Sequence, residues 1–79
     1  MGGLPVNAFR IELTSPPDRD FVVANIMVGG DEFAEISQEA ESLKVEVYPR
    51  RDGGPWCLDY EELSHVLGLA KERLSGTRE

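Results

Sequence analysis

Seventy-nine residues make one small domain, since a chain this short buries only about 60% of its unfolded surface. Fifteen acids against eight bases leave a net charge of −7, which speaks against nucleic acid, whose phosphates need a basic footprint. A lone cysteine excludes an internal disulfide, and no apolar run nears the roughly 20 residues that span a bilayer.

The first residues lack a basic stretch followed by an apolar one, so the expected location is the cytoplasm and no membrane partner is expected. The whole chain, 1–79, reads as a single domain with tails at 1–6 and 75–79. Four strand candidates follow one another at residues 8–14, 21–28, 32–38 and 43–48. Ser15-Pro16-Pro17-Asp18 breaks the chain after the first, Gly29-Gly30-Asp31 after the second, and Glu39-Ala40-Glu41-Ser42 after the third. Such short connections suit consecutive antiparallel hairpins.

The fourth candidate alternates Leu43, Val45 and Val47 with Lys44, Glu46 and Tyr48, the period-2 pattern of a half-buried strand. Pro49 stops it, Asp52-Gly53-Gly54-Pro55 turns the chain, and Trp56 and Cys57 follow as an apolar plug. Asp59 then stands three residues before Glu62, a capping-box spacing that satisfies amides at a helix start. Leu63, Val66, Leu67, Ala70 and Leu74 share one helical stripe. Gly68 costs the helix about 1 kcal/mol against alanine, which suggests a close approach of helix to sheet. The expected fold is α+β, a four-stranded antiparallel meander with one C-terminal helix packed on one face (ββββα).

Matching apolar faces sets an expected register. Leu13 pairs with Val22, Ile11 with Ala24 and Phe9 with Ile26. A three-residue loop with Gly30 left-handed pairs Ala24 with Ile36 and Ile26 with Ala34, and the last hairpin pairs Ile36 with Val45 and Ala34 with Val47. The helix then covers Phe9, Ile11, Leu13, Val22, Ala24, Ile26, Val28, Ala34, Ile36, Leu43, Val45 and Val47. The other face, which no remaining element covers, carries a row of Arg10, Asn25, Glu35 and Glu46. Beside it lies an apolar row of Met27, Phe33 and Tyr48, with Phe21 and Val23 nearby. Two features of this face call for a cover. Large apolar groups stand together in water, and Glu35 opposes Glu46, a like-charge pair. A homodimer through this face, with Arg10 of a second copy meeting the glutamates, is one answer. A partner protein held by aromatic anchors ringed with carboxylates is the other.

Candidate chemistry is sparse. Glu35 and Glu46 are the minimum pair for acid–base work, but glycoside hydrolysis needs a substrate-sized cleft that so small a sheet lacks. His65 has no second histidine or cysteine to complete a metal site and is expected on the helix surface beside Glu61. Cys57 between Trp56 and Leu58 reads as a buried, inert thiol. Gly29-Gly30 and Gly53-Gly54 lack the spacing of a phosphate cradle. No catalytic set, metal or cofactor is expected. Arg50 and Arg51 beside Trp56 make a basic spot able to stack or to grip a carboxylate. The simpler reading, and the one expected, is that the arginines offset the acidic surface and Trp56 closes the small core where the chain crosses from sheet to helix.

Glu46-x-Tyr48-Pro49 and Asp52-Gly53-x-Pro55-Trp56, followed by a leucine-rich helix, look like a signature of small bacterial proteins to which no activity attaches. In size and acidity the chain resembles bacterial immunity proteins and other small acidic inhibitors. That resemblance implies a non-catalytic module that presents carboxylates to a basic protein. The alternative is a structural homodimer holding a small ligand between subunits, with Arg10 and Asn25 as polar contacts.

Overall fold

A computed structural model describes residues 9–77. The elements are β1 (Phe9–Thr14), β2 (Val23–Val28), β3 (Asp31–Ser37), β4 (Lys44–Val47) and α1 (Tyr60–Ser75). The strands form one antiparallel meander in the order β1-β2-β3-β4, and α1 lies on one face of it against β1 and β2. The fold is the expected α+β arrangement. Asp59 caps α1 as its spacing suggests, its Oδ2 accepting from Glu62 N at 2.9 Å. At the other end, the Gln38 amide donates to Val22 O at 2.8 Å and to Thr77 Oγ1 at 3.0 Å. Thr77 Oγ1 in turn donates to Leu74 O at 2.7 Å. The end of α1 is thus tied to the sheet at residues assigned to a tail, whereas the tail at 1–6 lies outside the described residues.

Three registers met three outcomes. β3 and β4 pair as expected, Ile36 with Val45 and Ala34 with Val47. Between β2 and β3 the pairs Ala24–Ile36 and Ile26–Ala34 are also as expected, but the turn is not. Met27 opposes Glu32 and Val28 opposes Asp31, which leaves only Gly29 and Gly30 to turn, and a bulge beside Ile26 and Met27 absorbs the mismatch. The left-handed residue is Gly29, at φ +63°, and not Gly30; a positive φ at the first central position suits a two-residue hairpin. β1 is shifted by two residues from expectation, pairing Phe9 with Val28, Ile11 with Ile26 and Leu13 with Ala24. A two-residue slip leaves every side chain on its own face, so the apolar pattern does not oppose it.

The bulge moves Phe33. Glu32 faces the same side as Met27, and Glu35 the same side as Asn25, so the extra residue between them joins Ala34 on the helix side. Phe33, expected on the open face, is 7% exposed and belongs to the core with Ala24, Ile26, Val28, Ala34, Ile36, Val66, Ala70 and Leu74.

The opposite correction applies at the margins of the sheet. Leu13, Val45 and Val47, all expected under the helix, are 41%, 51% and 55% exposed. A helix is about 10 Å across and strands lie about 4.8 Å apart, so one helix seated on β1 and β2 does not reach β4. Gly68 does not serve a close approach either. It is exposed, and a Cβ built on it meets nothing within 4 Å.

Candidate functional site

Opposite the helix, direct strand pairing lines up Glu12, Asn25, Glu35 and Glu46 across the sheet. Arg10, expected in this row, stands one pair further along, opposite Met27 and in line with Glu32. It reaches back along its own strand, donating from Nε and Nη2 to Glu12 Oε2 at 2.9 and 2.7 Å. Asn25 Nδ2 donates to Thr14 Oγ1 at 2.9 Å.

The cation at the centre comes from a residue that pattern reading passed over. Arg19, in the connection between β1 and β2, sets Nη2 3.0 Å from Glu35 Oε2. The contact is an ion pair and not an aligned hydrogen bond, for Oε2 is buried without a hydrogen-bonding partner. The other oxygen, Oε1, accepts from the Tyr48 hydroxyl at 2.9 Å. The Glu35–Glu46 opposition is therefore answered within one chain. The connection carrying Arg19 is held by Glu39, whose oxygens accept from Asp20 N at 3.1 Å and Phe21 N at 3.0 Å. It covers a face expected to be bare. Val23 there is 1% exposed, Phe21 and Met27 are half-buried, and Phe33 has left for the core. The apolar row shrinks to Met27 and Tyr48.

Carboxylates dominate what remains. Burial raises the pKa of Glu32 above its ordinary value, and the charges of Glu35 and then Glu12 raise it further. The Tyr48 hydroxyl is pushed up to about 12 by burial first, then by its hydrogen bond to Glu35 and the charges of Glu35, Glu46 and Glu32. Four glutamates from β1, β3 and β4 thus share one field around Tyr48 and Met27. Among the described residues no group of histidine, cysteine, aspartate and glutamate is placed to hold a metal ion. Arg19 was findable as the one base between Arg10 and Lys44. Glu32 was not, because its face depends on the bulge.

The other candidates lie apart from this face. Trp56 meets Phe33 edge-on, centroids 5.2 Å apart at 81°, and its Nε1 donates to Tyr48 O at 2.8 Å. It closes the core at the crossing from sheet to helix. The Arg50 guanidinium lies 5.5 Å from the Trp56 ring centroid and also pairs with Asp52 at 3.2 Å. Arg51 pairs with Asp31 at 2.6 Å. Both arginines therefore grip carboxylates of their own chain. Cys57 is exposed, contrary to the buried thiol expected; with Val28, Arg50, Trp56 and Leu58 it borders a hollow of about 380 Å³. His65 is exposed as expected, but no ion pair joins it to Glu61.

No family model, curated protein or solved structure matches the chain. No helix among the described residues is long and apolar enough to cross a membrane.

Proposed function

We propose that this chain is a non-catalytic protein-interaction module of the immunity or inhibitor type, acting in the cytoplasm, that offers its carboxylate face to a basic protein. The observation that carries the reading is the crowding of Glu12, Glu32, Glu35 and Glu46 on one sheet face, where burial first and then the charges of Glu35 and Glu12 hold Glu32 above its ordinary pKa. A bound cationic surface relieves that repulsion. Met27 and Tyr48 supply an apolar and aromatic centre within the acids, the layout of an anchor with a charged surround. Glu35 is engaged by Tyr48 and Arg19, which suits a fixed acceptor more than a proton carrier. The lone cysteine accords with a reducing compartment.

A lysine-rich peptide is a suitable probe, titrated calorimetrically at low and high salt. Binding should be measurable at low salt, weaken as salt screens it, and weaken again in the Glu12→Gln/Glu32→Gln double variant. No binding at low salt, or equal binding by the double variant, removes the reading.

A further inference from the structure

β4 ends the sheet, and every one of its residues is exposed. Among the described residues, no strand pairs with its outer side. An exposed edge with two half-exposed valines and no proline or bulge is a template for another strand. Its hydrogen-bonding direction can be read from one bond. Tyr48 N donates to Phe33 O at 2.9 Å, so Tyr48 points its amide inward to β3. Successive residues of a strand address alternate edges. Glu46 and Lys44 therefore also bond inward, and Val45 and Val47 present their N–H and C=O groups outward.

We propose that two copies of this chain join antiparallel through β4, about a two-fold axis at Val45, to make one continuous eight-stranded sheet. Centred there, Val45 opposes Val45 of the second copy with both outward-facing amides aligned, so the pair exchanges two hydrogen bonds. Lys44 of each copy stands opposite Glu46 of the other, giving two opposite-charge cross-strand pairs on the carboxylate side. Val47 stands opposite Leu43 of the other copy on the helix side. The contact places apolar cover over the valines that the helix does not reach. Neighbouring registers are worse. Centring on Glu46 sets the two glutamates against each other, centring on Val47 brings Val45 against Pro49, which has no amide hydrogen, and any odd slip mismatches both edges and faces. The edge is thus complementary to itself in hydrogen bonds, charge and apolar side chains, as an isologous contact requires.

Charge exchange tests the register, read by light scattering and sedimentation over a dilution series. The parent should dimerise with concentration. Lys44→Glu and Glu46→Lys should each weaken the dimer about tenfold or more, because each turns both crossings into like-charge pairs. The doubly exchanged Lys44→Glu/Glu46→Lys chain should dimerise like the parent. Mixing the two single variants should give a mixed dimer tighter than either alone, since both crossings are then complementary. Circular dichroism checks that each variant is folded. A parent that stays monomeric at high concentration overturns the proposal. So does a dimer indifferent to both single changes, or one that neither the double exchange nor the mixture restores. The test is separate from that of the carboxylate face, whose probes, Glu12 and Glu32, lie off β4.

Discussion

Ile26 on β2 and Val45 on β4 face the same side of one sheet, yet Ile26 is fully buried and Val45 is 51% exposed. Both satisfy the same alternating pattern. What separates them is the width of the cover. α1 turns Val66, Ala70 and Leu74 onto the sheet and rests on β1 and β2, so burial reaches Ala34 and Ile36 on β3 and stops short of the far edge strand, β4. A period-2 pattern states which way a side chain points. It does not state whether anything is there to meet it.

The largest effects should test that contrast directly. Ile26→Ala removes a side chain with no exposed surface and should cost about 2–5 kcal/mol, as lost transfer energy plus an unfilled cavity. Val45→Ala, measured at a dilution where the chain is a monomer, should stay within about 0.5 kcal/mol. Urea melts of the two variants give both numbers. Comparable losses would mean that β4 is covered in the monomer and that the contrast fails.

Trp56→Ala comes next, at about 3 kcal/mol. The ring is only half-buried, which puts it at the lower end for large aromatics, but it takes with it the edge contact to Phe33 and the bond to Tyr48 O. A variant melting like its parent would detach Trp56 from the core and return it to the list of binding residues.

Which parts were legible follows from what apolar matching can sense. The β3–β4 register was fixed by it, because a one-residue slip would have exposed Ile36 or buried Glu35. The two-residue slip of β1 against β2 was invisible, since it keeps Phe9, Ile11 and Leu13 on their face. Phe33 was misplaced for a related reason. Gly29-Gly30 fits a two-residue turn, and reconciling that turn with the Ile26–Ala34 pair requires a bulge, which changes the face of one residue without changing the sequence pattern. The acidity of the open face was legible from composition and register. Its central cation was not, because Arg19 sits in a connection where no periodicity constrains direction.

On the carboxylate side, the comparison becomes one between two opposed glutamates. Glu35→Gln should destabilise by about 1–2 kcal/mol, since it removes the ion pair with Arg19 and weakens the acceptor for Tyr48. At a dilution where the chain is a monomer, Glu46→Gln should be neutral or slightly stabilising, because there it only relieves repulsion. Equal losses from both would contradict the Arg19 contact. Tyr48 adds a pH signature. Its neutral form is favoured in the folded chain, so its contribution is complete below the ordinary value of 10.0 and is lost as pH rises through about 12. Alkaline unfolding followed by circular dichroism should carry this component in the parent and lose it in Tyr48→Phe.

The smallest effect comes from the outer side of the helix and has the opposite sign. Gly68 lies in the middle of α1 but away from the stripe of Val66, Ala70 and Leu74, and a Cβ there meets nothing within 4 Å. Gly68→Ala therefore gains helix propensity without a steric cost and should stabilise the chain by up to about 1 kcal/mol. The same substitution reports on how the helix is seated. If α1 were rolled so that Gly68 faced the sheet, or slid towards β4 so that its outer side met Val45 and Val47, the added methyl group would strike a neighbour and the sign would reverse. A denaturant midpoint that rises with an unchanged slope supports the helix on β1 and β2. A midpoint that falls would place cover over β4, and would dissolve both the difference between Ile26 and Val45 and the exposure of Val45 and Val47 that the β4 contact is proposed to cover.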